Sequence, residues 1–334
     1  MQNLLDPAIL FFVFGIVAGG LKSNLEIPPQ ISRFLSLYLL MALGLKGGFA
    51  LAKSGFTVDV AVSLGAALAL AVVVPMVGYM LLRRVLSRFD AAAVAATYGS
   101  VSAVTFITAV QYLDTHAVAY GGHMAAAMAL MESPAIIMAV VLANHARQAG
   151  QAAGAAGVGV VATAAAGAPK TSIGHILRES MTDGAQLLLL GAMVIGFVTG
   201  EAGQAVMQPF SVDLFKGMLA FFLLDMGLLA ARNMGGLRTC SPWLLIYAIL
   251  GPLVHAAAAL GLGLGLGLGM SPGNVTLLMV LAASASYIAV PAVLRVAVPE
   301  ANPSLYFGMS LGLTFPFNLI LGIPLYAYLA QRLV

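Results

Sequence analysis

The sequence predicts an all-α integral membrane protein with ten transmembrane segments arranged as two inverted five-helix halves. Three observations lead there. Of its 334 residues 61% are apolar and only 8% charged, too little charge for a normal water-facing surface. The apolar segments run about 20 residues each, the length at which a helix crosses roughly 30 Å of hydrocarbon. Two of them, in corresponding halves, are interrupted by Gly, Ser or Pro: Ala95 to Tyr112 (AATYGSVSAVTFITAVQY) and Ala282 to Arg295 (AASASYIAVPAVLR). Backbone unwound at membrane depth is tolerated only where protein or a cavity surrounds it, so paired interruptions point to a transporter's substrate site.

In chain order the expected spans are 7–21, 32–52, 57–82, 92–113 and 118–143, then 183–200, 211–231, 242–268, 273–297 and 303–331. The first run begins at Ala8 without a basic flank and reads as a spanning helix, not a cleaved signal. Residues 1–145 form the first repeat and 183–334 the second. Residues 146–182 are an Ala/Gly-rich linker without bulky side chains, expected to be flexible and in part helical. The Gly/Leu alternation of Gly261 to Gly269 reads here as a closely packed helix. Short alternating segments of a β-barrel are absent from the sequence.

Basic residues set the orientation, because cytoplasmic loops retain them. With the N-terminus outside, eleven of the fifteen Lys and Arg lie at the inner face: Lys22, Arg33, Arg83, Arg84, Arg88, Arg147, Lys170, Arg178, Arg232, Arg238 and Arg295. Lys46, Lys53, Lys216 and Arg332 remain for the other side. Both termini are therefore expected outside the cytoplasm and the linker inside. Five spans per half invert the second half relative to the first. Residue pairs at an offset of about 180 positions support a repeat: Gly44-Leu45 with Gly227-Leu228, Val74-Pro75-Met76-Val77 with Gly251-Pro252-Leu253-Val254, Ser100-x-Ser102 with Ser284-x-Ser286, and Pro134 with Pro316.

The candidate substrate-binding residues follow from the interruptions. The N–H groups of a broken helix's N-terminus, with its dipole, suit a small anion such as bicarbonate. Gly99, Ser100, Ser102 and Thr105 in span four and Ser284 and Ser286 in span nine are placed to supply donors; the alternative is that these small residues serve close helix packing. Lys46, Glu132 and Asp225 are the intramembrane charges, candidates for coupling or charge compensation, with pairing or snorkelling as the structural alternative. His255 is either a proton relay or a carbonyl-bonded core histidine. His116, His123 and His145 lie near membrane boundaries. No His, Cys, Asp or Glu cluster in the sequence has metal-ligand spacing, no Gly-x-Ser-x-Gly elbow occurs, and the single Cys240 excludes a disulfide framework. No run of basic residues with interleaved aromatics suggests a nucleic-acid partner.

The second half resembles the sodium-dependent bicarbonate transporters. The resemblance lies in Gly251-Pro252-Leu253-Val254-His255, in Ala282-Ala283-Ser284-Ala285-Ser286 and in Arg295 to Tyr306 (RVAVPEANPSLY), most specifically in Pro299 to Ser304. In the first half it lies in Ile27-Pro28, Gly44 to Gly48 (GLKGG) and Gly99-Ser100-Val101-Ser102. It implies crossed, discontinuous helices four and nine, a core domain moving against a gate domain, a homotrimer in a bacterial inner membrane, and sodium-driven symport of bicarbonate. A cytoplasmic PII-like regulator is a further implied partner; no other cofactor is expected.

The chain departs from the family's pattern, which reads Ser-Asp-Ile-Ser-Gly-Pro-Pro where this chain has Ser286 to Ala292 (SYIAVPA). Tyr287 stands where a carboxylate is expected, Ala289 where a hydroxyl is expected, and Lys46 where a threonine is common. Lys46 is therefore the candidate for bringing to the crossing the positive charge that sodium otherwise supplies, with transport independent of sodium and sensitive to pH. The alternatives are a sodium-independent or proton-coupled carrier of another small organic anion, a channel, or a membrane enzyme; the last two lack a continuous polar path and a catalytic dyad in the sequence.

Overall fold

The computed structural model describes residues 6–155, 184–234, 240–265 and 270–334. Among these, every regular element is helical. In chain order they are α1 (Pro7–Gly20), α2 (Pro29–Ser54), α3 (Val58–Leu82), α4 (Arg88–Gly99), α5 (Ala103–Thr115), α6 (Met124–Ala155), α7 (Gly184–Gln208), α8 (Phe215–Asn233), α9 (Pro242–Gly265), α10 (Pro272–Ala283), α11 (Ala289–Ala297) and α12 (Pro303–Leu333). Seven described stretches are long and apolar enough to cross a membrane, counting α4 with α5 and α7 with α8 as single runs; α1 and α10 are shorter apolar helices. Most of the expected linker lies outside the described residues. Its first ten residues do not: α6 continues to Ala155, because an alanine-rich stretch carries the highest helix propensity. The Gly/Leu run is helical through Gly265, and the rest of it also lies outside the described residues.

Helix starts follow local chemistry. Asp6 caps α1 by accepting from the Ala8 amide at 2.8 Å, and Ser87 and Ser271 cap α4 and α10 from the amides of Asp90 and Asn274. Prolines Pro7, Pro29, Pro272 and Pro303 stand in first turns, where a missing N–H costs nothing. Pro75, Pro134 and Pro252 lie within continuous helices. The run from α7 to α8 turns at Gly200, whose φ of 56° and ψ of −138° suit only glycine.

Two helix pairs form a scaffold, α1 against α8 and α2 against α7, and their contacts match residue for residue. A Cβ on Gly15 would strike the Leu224 carbonyl and the Gly227 Cα, and one on Gly227 would strike the Phe12 carbonyl and the Gly15 Cα. In the second pair Gly196 meets the Leu45 carbonyl and the Gly48 Cα, and Gly48 meets the Met193 carbonyl and the Gly196 Cα. Backbones thus touch directly, as small residues allow between membrane helices. Gly227 thus meets Gly15, and Gly48 meets Gly196.

The remaining helices, α3 to α6 and α9 to α12, surround the two interruptions. In α12 two π-helical turns, Gly308–Thr314 and Asn318–Gly322, flank Phe315–Phe317. Such turns release carbonyls and re-aim side chains.

Candidate functional site

The chain leaves helical geometry at Ser100 and re-enters it at Ala103; it does so again from Ser284 to Ile288. The two breaks bond to each other. The Ser102 amide donates to Ser284 Oγ at 3.0 Å, and the Ser286 amide donates to the Thr97 carbonyl at 2.8 Å. Ser284 Oγ in turn donates to the Leu281 carbonyl at 3.0 Å. Each half therefore satisfies backbone groups that the other exposes, which is what makes two unwound segments tolerable in hydrocarbon.

Further side chains complete the satisfaction. Asn318, from the second π turn of α12, donates to the Ala283 carbonyl at the end of α10 (2.8 Å) and accepts from the Tyr326 hydroxyl (3.0 Å). His255 lies beside the Ala282 carbonyl, with its Nδ1 buried and without a hydrogen-bond partner. Thr314, from the first π turn, donates to the Ala248 carbonyl at 2.6 Å and pairs with the Tyr98 hydroxyl at 2.6 Å. Pro75 packs its ring onto Gly99, where no Cβ fits.

At the break itself, Ser102 Oγ accepts from the Thr105 amide at 3.2 Å and so caps α5. Ser286 Oγ accepts from the Val290 amide at 3.3 Å. The amides of Ala103 and Val104 precede the first intrahelical acceptor of α5. Ser100 Oγ is fully buried and without a hydrogen-bond partner. The six candidates Gly99, Ser100, Ser102, Thr105, Ser284 and Ser286 are thus brought together in one buried region, with the N-terminal ends of α5 and α11 at its edge.

Lys46 and Glu132 are engaged away from this crossing, whereas the charge of Asp225 reaches Tyr287 of the second break. Lys46 lies on α2 and its Nζ contacts Asp114 Oδ2 at 2.8 Å, with the Phe215 ring centroid 4.7 Å away. Asp114 also accepts from the Tyr120 hydroxyl at 2.9 Å. Asp114 is twelve residues beyond Ser102 on α5, roughly 18 Å along the helix axis. The expectation that Lys46 supplies charge to the crossing is corrected: its charge is matched by Asp114, a partner that the hydropathy pattern did not single out. Glu132 accepts from Gln186 of α7 at 2.6 Å, and Asp225 accepts from Ser32 of α2. The Lys46 and Glu132 contacts both join the glycine-packed scaffold to the helices around the breaks.

A cavity of about 360 Å³ opens where these two groups of helices meet. Asp6, Ile9 and Leu219 line it from the scaffold side; Thr108, Gln111, Thr115 and His116 line it from α5. Along α5, Thr105, Thr108, Gln111 and Thr115 recur at helical spacing and make a polar row running from the break to this cavity. Lys216 pairs with Asp6 at 3.2 Å, partly neutralising the carboxylate.

The sequence matches a known family. A sequence profile described as the Na+-dependent bicarbonate transporter superfamily covers residues 7–331. The chain belongs to that superfamily. No curated protein matches it. Its most specific stretch, Pro299 to Ser304, sits where α11, α4 and α6 converge. Arg147 binds Glu300 with two parallel bonds of 2.8 Å each and donates to the Ala297 carbonyl at 2.9 Å. Asn302 caps α12 through the Ser304 amide and donates its own amide to Asp90 at 2.8 Å. The Arg147 guanidinium beside Glu300 holds that carboxyl below its ordinary value, with partial burial opposing. Through these bonds the stretch fixes α6 and the ends of α4, α11 and α12 to one another.

Proposed function

We propose that this superfamily member is a secondary active carrier that moves bicarbonate, a small monoanion, across the membrane by symport. The single observation that carries the reading is the hydrogen-bonded meeting of two broken helices, with helix N-termini and buried hydroxyls gathered at one place. Bicarbonate must exchange its hydration for hydrogen-bond donors, and preorganised amides and hydroxyls at a helix N-terminus provide them in a favourable dipole field. The superfamily's description as transporters supports reading the chain as a carrier.

The reading extends to architecture. The superfamily and the matched Gly15/Gly227 and Gly196/Gly48 contacts support ten crossings in two inverted repeats, with both termini outside. In this reading α1, α2, α7 and α8 form the gate and the other helices the core that slides against it. Alternating access then needs the core–gate contacts of Lys46 with Asp114 and Gln186 with Glu132 to exchange during the cycle. Homotrimer assembly and a PII-like cytoplasmic regulator come with the superfamily resemblance alone. Sodium enters as co-transported cargo. The segments 100–102 and 284–288 contain no carboxylate, so hydroxyl and carbonyl oxygens are the ligands they offer a hard cation.

Uptake of labelled bicarbonate into proteoliposomes tests the proposal, with sodium or choline outside at equal ionic strength. Accumulation above the equilibrium level in a sodium gradient is expected. Accumulation in choline that follows a proton gradient would move the coupling from sodium to protons and leave the carrier intact. Equilibration without accumulation under every gradient would contradict secondary active transport.

A further inference from the structure

We propose that Tyr287 is a specificity-determining residue of the anion site, its hydroxyl donating directly to a small planar oxyanion alongside Ser100 and Ser102. The inference rests on reading the crossing as the substrate site, and adds which side chain selects the ion. Tyr287 occupies the second break, and its ring is 4% exposed. Its hydroxyl, like Ser100 Oγ, has no hydrogen-bond partner; it faces Ser102 without closing a hydrogen bond.

Buried polar groups in folded proteins are paired, and an exception asks for a partner that the protein itself does not contain. At the crossing the exceptions are Ser100 Oγ and the Tyr287 hydroxyl; His123 Nε2, the Tyr247 hydroxyl and His255 Nδ1 are the other buried side-chain atoms without a partner among the described residues. The amides of Ser102 and Ser286, the Thr97 carbonyl, the Ser284 hydroxyl and the Asn318 side chain are engaged, as described above, whereas two hydroxyls at the same crossing have no partner at all. The backbone is extended at Ser100 (φ −97°, ψ −178°) and Ser102 (φ −106°, ψ 110°), so the two side chains point to one face. Ser102 Oγ accepts from Thr105 and keeps its own proton to donate.

Three hydroxyl protons and the first amides of α5 thus stand at the two breaks as donors, a set complementary to a ligand that only accepts, with Asp225 the acidic group whose charge reaches Tyr287. The donors come from two separate chain segments. A ligand with several oxygens in a plane meets them together, and a halide meets fewer of them. The ring position is fixed from outside the site. Phe315 lies edge-on to Tyr287 at 5.2 Å between centroids, and Phe12 of α1 lies edge-on to Phe315 at 5.3 Å. A hydroxyl held this way is preorganised, so little ordering opposes binding.

The test uses the purified full chain, with equilibrium binding of bicarbonate, formate, nitrate and chloride to the native protein and to Tyr287→Phe. The substitution keeps the ring and its stacking and removes only the hydroxyl. The expected result is a tenfold or greater loss of affinity for the oxyanions that bind, with chloride affinity unchanged. The melting temperature of the anion-free variant should stay level or rise, because an unpaired buried group has been removed. Unchanged oxyanion affinity would overturn the proposal, and so would a fall in anion-free stability. No binding of any of the four ions by the native protein would overturn it too. Native binding of formate or nitrate without bicarbonate would refute the bicarbonate reading alone, and the Tyr287→Phe comparison would then be read on the ion that binds.

Discussion

The glycine-packed scaffold and the broken-helix crossing are built by opposite means. In the scaffold, four glycines bring the backbones of α1 and α8, and of α2 and α7, into contact with no side chain between. At the crossing, short polar groups hold backbones that have no helix to satisfy them. One region is dry, regular and duplicated; the other is polar and leaves hydroxyls unpaired. The difference teaches where each region tolerates change. A scaffold contact has no slack, whereas the crossing must keep spare hydrogen-bonding capacity for a ligand.

The largest expected effect breaks the scaffold. Gly227→Val and Gly48→Val each place a branched side chain against backbone of the facing helix, and a close-packed contact relieves that only by separating the helices, at a cost of about 3 kcal/mol or more. Loss of a monodisperse peak in size-exclusion chromatography is expected for both. Gly191→Ala, at a glycine with open space around it, should elute and transport as the native protein does. Native behaviour of the two valine variants would show that the pairs are not tightly packed in the membrane.

A smaller effect tests the contact between the regions. Lys46→Met leaves the Asp114 carboxylate without its cation, while Lys46→Met with Asp114→Asn removes both charges. The single variant is expected to lose about 1–3 kcal/mol of stability, and the double variant to recover part of it. Thermal melts of the four proteins in a double-mutant cycle measure this; additive losses would mean that the pair contributes nothing as a pair.

A third outcome concerns access. With Cys240→Ala as background, Gln111→Cys should react with a membrane-impermeant thiol reagent added outside intact cells, because Gln111 lines the cavity. Thr105→Cys, fully buried near the break, should react far more slowly. Equal rates, or labelling of Gln111→Cys from the cytoplasmic side alone, would remove the cavity from the outer route.

The smallest effect is at Glu300. Its carboxyl is held low by Arg147, so the pair stabilises the fold above the ordinary carboxylate range, and that contribution is lost as pH falls through the lowered value. The side chain is 37% exposed, and solvent screening keeps the contribution under about 1 kcal/mol. Glu300→Gln should lower the melting temperature slightly at neutral pH and leave it unchanged in acid. A larger effect in acid would reverse the sign of the linkage.

How much of this was legible in the sequence differs between the two regions. The breaks were legible, because Gly99-Ser100 and Ser284-x-Ser286 put turn-forming residues where an apolar helix has no use for them. The superfamily was legible from Pro299 to Ser304, although that stretch proves to be a frame between helix ends. The partners were not. Asp114 looks like an ordinary helix-end carboxylate, and only folding brings it against Lys46, 68 positions away in sequence. Asn318 reads as a lone polar residue in an apolar helix, and the π turn that aims it at Ala283 has no composition signal.

The central claim, that the crossing is the anion site, is tested most directly by equilibrium binding of labelled bicarbonate to purified native protein and to Ser102→Ala. Ser102 caps α5 and presents a hydroxyl proton at the break. Saturable binding by the native protein is predicted, with affinity at least tenfold weaker in the variant because a hydrogen bond to a charged group is lost. Equal affinity in both proteins, with Ser102→Ala folded as the native chain is, would contradict the claim and place the site elsewhere in the molecule.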